Sequence, residues 1–313
     1  MNLDKIVTLK DFLTTQKIDK DLAELILLIT SQTIPIREEF PHRLGEAGTK
    51  NKYGEEQKAL DVWVNDLLTK KMIESGLVKT VVSEELPDIV TSPDKKGKFN
   101  VAMDPLDGSS NVKSNNLFGT IVGVYKSSDK IGKGRKQIAA FYKLYGPNTT
   151  LTIGTGDGVH EFVKGRKTTQ EFFLYKSDVT FPEPKIYGVG ENPERWIPEF
   201  SLFVTLLRSK GLKLRYGGSF VGDFNQILHQ GGFFGYPATL DKPKGKLRLV
   251  FEGNPMAYIA EHAGGSSSCG SKNLLDIDPI NIDSRIPIYV GNKELIQSLE
   301  DIFRAAKEAR EYY

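Results

Sequence analysis

Four carboxylates lie in two short segments of the sequence, and their types and spacing could bind a divalent cation. Glu84 and Glu85 end the β-branched segment VKTVVSEE, and Asp104 and Asp107 end the apolar segment FNVAMDPLD. If both segments are strands of one open α/β sheet, their carboxyl ends meet at the edge where such sheets bind ligands. Oxygen donors without Cys or His favour Mg²⁺, Mn²⁺ or Ca²⁺. We therefore predict a cation between the four acids, which would otherwise repel one another.

The turn that follows these acids has the composition of a phosphate site. Pro105 disfavours helix at Asp104 and leaves the Leu106 carbonyl free to face a cation. A glycine and two serines come next in DPLDGSSN, a pattern that suits a nest of backbone N–H groups around a phosphate. Adjoining cation and anion sites indicate metal-assisted phosphoryl chemistry. Alone, an E-E pair is more often a solvated surface feature, and D-x-x-D-G-S-S could be a turn or a calcium loop, although the EF-hand spacing is not met.

The elements that must position these residues fall into two predicted domains, residues 1–184 and 185–313. The first is an α+β domain with helices over 3–40, kinked at Pro35, and over 55–75, followed by an antiparallel meander over 118–176. The second alternates α and β and ends with a strand over 246–251 and helices over 252–262 and 292–311. The Gly- and Lys-rich segment 42–56 is predicted to be a mobile loop that closes over substrate.

Composition narrows the function classes. The 313 residues carry a net charge of +2, which gives no support for a nucleic-acid partner. The single cysteine, Cys269, excludes an internal disulfide and a thiolate metal cluster. Since there is no apolar run of about 18 residues, we expect neither a membrane span nor a signal peptide, and a cytoplasmic location.

Several segments together resemble a known family. SEE and DPLDGSSN are similar to motifs of the lithium-sensitive, metal-dependent sugar and inositol phosphatases, and GGSFVGDFNQIL, GGFFGYPAT and GKLRLVFEGNPMAYIAEHAGG resemble class I fructose-1,6-bisphosphatases. The resemblance implies a layered α-β-α-β-α fold with an antiparallel or mixed N-terminal sheet and a smaller C-terminal α/β sheet. It also implies a homodimer or homotetramer that hydrolyses the 1-phosphate of fructose 1,6-bisphosphate. KIDKDLAEL and Lys126 depart from the family's AMP-binding pattern, so we expect a weak or absent AMP site.

The resemblance assigns roles residue by residue. Without the resemblance, Asp61 would be interpreted as a charge on a helix surface and Glu252 as an acid in the first turn of a helix. Two or three Mg²⁺ ions, or Mn²⁺, would be held by Glu84, Glu85, Asp104, the Leu106 carbonyl, Asp107 and Glu252. Asp61, Glu84 and Glu55 would act in catalysis. Substrate would contact Asp107, Gly108, Ser109, Ser110, Asn192, Arg215 from a neighbouring subunit, Tyr216, Gly218, Ser219, Phe220, Tyr236, Lys246 and Arg248. Sedoheptulose 1,7-bisphosphate, an inositol phosphate and a non-catalytic sensor remain alternatives.

Overall fold

The N-terminal part of the chain folds into helices that cover one face of a large sheet. The computed structural model describes residues 7–50, 56–165 and 171–312. The helices are α1 (Leu9–Thr15), α2 (Lys20–Ser31), α3 (Thr33–Glu39) and α4 (Ala59–Glu74). Asp19 caps α2 by accepting the N–H groups of Asp21 and Leu22. The apolar face of α2 is buried and consists of Leu22, Leu25, Ile26 and Ile29.

The predicted kink at Pro35 is wrong. The chain breaks between α2 and α3 at Gln32, and Pro35 lies in the first turn of α3. A proline there costs little, because the first N–H groups of a helix have no carbonyl partner within the helix.

The first sheet has eight strands in the order β10-β9-β8-β7-β6-β5-β3-β4. All neighbours are antiparallel except β3 and β5, which run parallel. The meander predicted over 118–176 is confirmed as the five strands β6 to β10. The strands are β3 (Val78–Ser83), β4 (Val90–Thr91), β5 (Phe99–Asp107), β6 (Phe118–Lys126), β7 (Gln137–Tyr145), β8 (Thr149–Thr155), β9 (Gly158–Lys164) and β10 (Phe172–Lys176).

The segment predicted to be a loop over 42–56 is irregular at residues 43–45 and contains a strand from Glu46 onward. Strand β1 (Glu46–Lys50) pairs antiparallel with β2 (Glu56–Lys58), so β2 takes residues that the sequence assigned to the next helix. The carboxylate of Glu46 accepts hydrogen bonds from the ammonium groups of Lys58 and Lys113. These exposed pairs contribute little free energy.

The second sheet has five strands in the order β12-β11-β13-β15-β14. The first three run parallel, and β15 and β14 are antiparallel to their neighbours. The elements of this half are β11 (Ile186–Val189), α5 (Pro198–Ser209), β12 (Lys213–Leu214), α6 (Phe220–Gln230), β13 (Gly232–Tyr236), α7 (Asn254–His262), β14 (Ser266–Ser268), β15 (Ile288–Gly291) and α8 (Lys293–Tyr312). Strands β14 and β15 were not predicted.

The prediction of a strand over 246–251 is wrong. Leu249–Gly253 forms a π-helical turn that leads directly into α7. A short, continuous apolar run fits a buried strand and a buried helical turn equally well, so periodicity could not distinguish them. This turn places Glu252 inside the protein, where it is 4% exposed.

The layers alternate helix, sheet, helix, sheet and helix, which confirms the predicted fold class. Helices α1 to α4 pack on one face of the first sheet, and α6 and α7 fill the space between the two sheets. Helices α5 and α8 cover the outer face of the second sheet. Of the helices in the described part of the chain, none combines the length and the apolar character that a bilayer span requires.

Helix α6 is bonded to the first sheet at three successive turns. The Val221 N–H donates to Asp107 at 2.7 Å, and the Tyr142 hydroxyl donates to the Asn225 side chain at 2.8 Å. The His229 ring nitrogen lies 3.1 Å from the Glu161 carboxylate. Residues 221, 225 and 229 are spaced four apart and therefore share one face of the helix. The two halves of the chain are thus joined by polar contacts along the length of α6.

Candidate active site

Glu84 directly follows β3, and Asp104 and Asp107 lie in the last four residues of β5, so these acids meet at one edge of the sheet, as predicted. Ser83 pairs with Met103 in the parallel register, and the Glu84 N–H donates to the Met103 carbonyl at 3.2 Å. Where a tight turn was predicted at Pro105, β5 continues with a shift in register between Asp104 and Asp107, and the Asp104 carboxylate accepts the N–H of Leu106 at 2.9 Å. The two parallel strands therefore present their carboxylates side by side.

These acids open into a cavity of about 400 Å³ between the two halves of the chain. Most of the predicted site residues line it, and two further lining residues, Phe234 and Leu247, were not predicted. The predicted residues in its walls are Asp61, Glu84, Glu85, Asp104, Leu106, Asp107, Gly108, Ser109, Ser110, Tyr216, Gly218, Ser219, Phe220, Tyr236, Lys246, Arg248 and Glu252.

Three carboxylates are close enough to share one cation. Glu84, Asp104 and Glu252 each offer an oxygen within 4.8 Å of the others. Glu252 comes from the π-helical turn, about 150 residues after the other two in sequence, so only the fold brings it here. Three carboxylate oxygens with no thiolate or imidazole among them form the donor set that hard divalent cations prefer. The residues present therefore fit Mg²⁺ or Mn²⁺.

Burial and mutual repulsion make these acids hold protons unusually tightly. Burial, together with the nearby Glu84 and Asp107 carboxylates, raises the pKa values of Asp104 and Glu252 well above their usual range. Burial also raises the pKa of Asp107 to about 7, although the Val221 N–H favours the charged form. Such crowding of like charges is stable only with a compensating positive charge or with bound protons. It is therefore the electrostatic pattern of a cation site.

Arg248 supplies one positive charge to this cluster. Its guanidinium is paired with the Glu84 carboxylate, and its backbone N–H donates to the Glu252 carboxylate at 2.6 Å. The residue is 4% exposed. Arg248 was predicted to contact the substrate; it lines the cavity, and its charged group lies among the acids.

Asp61 lies in the first turn of α4 and faces the same cavity. It is 5% exposed, and its Oδ1 atom has no hydrogen-bond partner among the described residues. Burial raises the pKa of Asp61 to about 8, with a further contribution from the Glu85 carboxylate, while hydrogen bonds from the Ser109 side chain and the Lys58 backbone oppose the shift. A buried carboxylate with a free oxygen and a pKa near neutrality is suited to accept a proton.

The turn after β5 requires its glycine. Gly108 has φ +78°, and a Cβ atom at this position would lie 2.3 Å from the Ser219 Cβ. The short helical turn Ser109–Asn111 follows, with its serines at the cavity wall. This close approach brings the predicted phosphate turn against the start of α6.

The wall opposite the acids is aromatic and basic. Phe220 is stacked on Phe234 with ring centroids 4.7 Å apart and an interplanar angle of 13°. The Lys246 ammonium lies 5.7 Å from the centre of the Tyr236 ring. Tyr216 also lines this wall. Phe234 could have been found from the sequence, because the alternation in GFFGY places it on the same face as Tyr236.

Of the predicted residues that the structure describes, two do not line the cavity. Asn192 is exposed, and its side chain accepts the Glu194 N–H at the start of a short 3₁₀ turn. Arg215 is also exposed, and its predicted role requires a second subunit. Glu55 lies outside the described residues. The placement of Asn192 shows that an Asn before Pro is adequately explained by local capping.

We expect Asn192→Ala to lose only this cap. The KM for a sugar bisphosphate should stay within about twofold of wild type, and the free energy of unfolding should fall by about 1 kcal/mol. Steady-state kinetics and urea denaturation measure the two quantities. A KM raised tenfold or more would contradict this prediction and would indicate that Asn192 contacts the substrate.

Family descriptions match both halves of the chain. "Fructose-1-6-bisphosphatase, N-terminal domain" matches residues 11–176, and "Fructose-1-6-bisphosphatase, C-terminal domain" matches residues 181–304. The chain belongs to the fructose-1,6-bisphosphatase family. The resemblance found in the motifs is thereby confirmed.

Relatives within the fructose-1,6-bisphosphatase family are similar over nearly their full length. The class 1 fructose-1,6-bisphosphatase of Methanocorpusculum labreanum is 42% identical over 300 residues, which are 96% of this chain and 92% of the relative. That of Geobacter sulfurreducens is 45% identical over 289 residues, 91% of this chain and 92% of the relative. The fructose-1,6-bisphosphatase of Leishmania major has been solved in a holo form that matches with a TM-score of 0.90 at 28% identity, covering 96% of this chain and 99% of that chain. Its T-state gives a TM-score of 0.84 at 29% identity, with the same coverage.

Proposed function

We propose that this protein hydrolyses the 1-phosphate of fructose 1,6-bisphosphate to give fructose 6-phosphate and phosphate. One observation carries the proposal: acids from four separate parts of the chain, a phosphate turn and a basic aromatic wall all line one cavity. The names of the relatives support the choice of substrate. A homodimer or homotetramer in the cytoplasm, acting in sugar-phosphate metabolism and gluconeogenesis, is part of the same proposal.

Two or three Mg²⁺ ions, with Mn²⁺ as a substitute, are the proposed cofactors. Glu84, Asp104 and Glu252 would hold one of them, since their oxygens are mutually close. Glu85, Asp107 and the Leu106 carbonyl line the same cavity and would complete the ligand set. Bound divalent cations neutralise phosphate oxygens and make a water molecule more acidic.

The protein's own groups would bind the phosphate and move a proton. The Ser109 and Ser110 amides would hold the phosphoryl group that is transferred to water. The carboxylate of Asp61, with that of Glu84, would orient the attacking water and accept its proton. Glu55 would contribute from the segment outside the described residues.

The opposite wall would bind the rest of the substrate. Lys246, Tyr216 and Tyr236 carry the donors that a distal phosphate requires, and Arg215 would come from a neighbouring subunit. Gly218, Ser219 and Phe220 would contact the sugar. The pairing of Arg248 with Glu84 makes its predicted contact with the distal phosphate the weakest of these assignments.

Phosphate release from a small panel of substrates tests the proposal. Fructose 1,6-bisphosphate, sedoheptulose 1,7-bisphosphate and an inositol monophosphate would each be assayed with Mg²⁺ and with EDTA. We expect the highest kcat/KM for the fructose compound, and no release in EDTA. Faster release from either competitor would reassign the substrate, and no release from any compound would support the non-catalytic sensor. Release that persists in EDTA would contradict the proposed cofactors.

A further inference from the structure

Gly218 lies in the wall of the cavity, and together with its neighbour Gly217 it belongs to a loop whose conformation needs support. Gly218 has φ +84° and lines the cavity next to Ser219. The segment Tyr216–Ser219 lies between the short strand β12 and helix α6 and has no strand partner of its own among the described residues. Something other than sheet hydrogen bonding must therefore fix its position.

The Asp223 carboxylate fixes this segment by accepting hydrogen bonds from two of the segment's backbone N–H groups. It accepts the Gly217 N–H at 2.6 Å and the Gly218 N–H at 3.1 Å. Asp223 is only 1% exposed and belongs to the first turn of α6. It is not needed to cap that helix, because the Ser219 hydroxyl already accepts the Gly222 N–H. The buried carboxylate is thus directed at the loop.

Two asparagines hold the same segment by its carbonyl. The Asn111 side chain donates to the Gly217 carbonyl at 2.9 Å and to the Leu117 carbonyl at 2.8 Å. The Asn116 side chain also donates to the Gly217 carbonyl, at 3.0 Å. Asn111 is the last residue of the phosphate turn, so these bonds join the turn directly to the segment.

Helix α6 closes the arrangement. Its Val221 N–H donates to Asp107, while Asp223, two residues later, reaches back to the glycines. Asp107, which precedes the phosphate turn, and the segment Tyr216–Ser219 are thus both hydrogen-bonded to the first turn of α6. Their spacing is set mainly by the buried side chains of Asp107, Asn111 and Asp223, with one further bond from the exposed Asn116.

We propose that Asp223 and Asn111 are positioning residues that fix the distance between the phosphate turn Gly108–Asn111 and the segment Tyr216–Ser219. This inference rests on the proposed function. The two residues touch no reacting atom, and they act through the backbone that faces the sugar. Their effect should therefore fall on binding of the sugar and the distal phosphate of the substrate, whereas binding of inorganic phosphate at the phosphate turn should be unaffected.

Asp223→Asn tests the inference, because the amide keeps the size of the carboxylate but turns an NH₂ group towards one of the two N–H donors. We expect the KM for fructose 1,6-bisphosphate to rise about tenfold and kcat to fall less than threefold. The inhibition constant of inorganic phosphate should stay within twofold of wild type. Asn111→Ala should change the KM in the same direction.

Gln226→Ala is the matched control, because Gln226 donates at 3.2 Å to the Asp223 oxygen that accepts the Gly217 N–H, and it has no hydrogen bond to the loop among those of the described residues. It should behave as wild type. Asn116→Ala, at an exposed position, removes one donor to Gly217 with little risk to folding and should raise the KM about twofold to fourfold.

The outcomes separate this inference from the proposed function. A wild-type protein that does not hydrolyse fructose 1,6-bisphosphate would overturn both. An active wild type with unchanged constants in Asp223→Asn and Asn116→Ala would overturn the positioning role alone. The same holds if the phosphate inhibition constant rises together with the KM, because the damage would then be general.

Discussion

Asp61→Asn should lower kcat by about a thousandfold and leave the KM within about threefold of wild type, because it removes a proton acceptor without changing the shape of the side chain. Asp61 lines the cavity, one of its carboxylate oxygens lacks a hydrogen-bond partner among the described residues, and an amide cannot accept a proton there. The fold should tolerate the change well. Since burial raises the pKa of Asp61 to about 8, a neutral group at this position removes a desolvation cost.

Single-turnover and steady-state phosphate release at saturating Mg²⁺ measure the effect on kcat. Asp66→Asn is the matched control, since Asp66 is exposed on the same helix and should retain wild-type rates. Thermal unfolding should show Asp61→Asn to be at least as stable as wild type. A kcat within tenfold of wild type would remove Asp61 from the proton transfer.

Lys143→Met should stabilise the protein by roughly 3 kcal/mol at pH 7, because it removes a buried amine. Lys143 lies in the middle of β7 and is 0% exposed. Its ammonium donates to the Ile29 carbonyl of α2 at 3.3 Å and lies 5.8 Å from the centre of the Tyr145 ring. Burial lowers the pKa of Lys143 from 10.5 to about 7. Methionine has a similar length and no charge to desolvate.

The pH dependence gives the sign of this effect. The unfolded chain keeps a proton on Lys143 up to about pH 10.5, whereas the folded protein releases it near pH 7. Between these values the unfolded state binds more protons, so this group makes the wild-type protein more stable as the pH rises. The advantage of Lys143→Met should therefore be largest at or below pH 7 and shrink towards pH 9.

Urea denaturation at pH 7, 8 and 9 measures this difference. Lys70→Met is the control, because the Lys70 side chain is 70% exposed and the change should have no effect beyond a few tenths of a kcal/mol. A Lys143→Met variant less stable than wild type at pH 7 would mean that the hydrogen bond to Ile29 outweighs the desolvation of the amine.

The parts of the site carried by local sequence were predictable. Glu84, Asp104 and the turn at Gly108 follow strands that period-two alternation and β-branched residues indicate. Their meeting point follows from a general property of parallel strands. Asp61 and Glu252 are different, because a helix-start acid is common on any surface. Only the resemblance singled them out before the fold placed both in the cavity.

The parts of the site that depend on long-range packing were not predictable from local sequence. Nothing near Arg248 indicates that its guanidinium would meet Glu84, 164 residues earlier in the chain. The π-helical turn that carries Glu252 was read as a strand, because a continuous apolar run has no period to detect. Asp223 has no local feature that distinguishes it from an ordinary first-turn acid.

The attachment of α6 to the first sheet has a consequence for how the chain could be divided. If the protein were cut near residue 184, Asp107, Tyr142 and Glu161 would lose their polar partners on α6. The apolar face of the meander that α6 and α7 cover would become exposed to water. Neither fragment would be a self-sufficient folding unit. A hybrid protein that borrowed its C-terminal half from another source would need a matching donor and acceptor at every turn of the grafted helix.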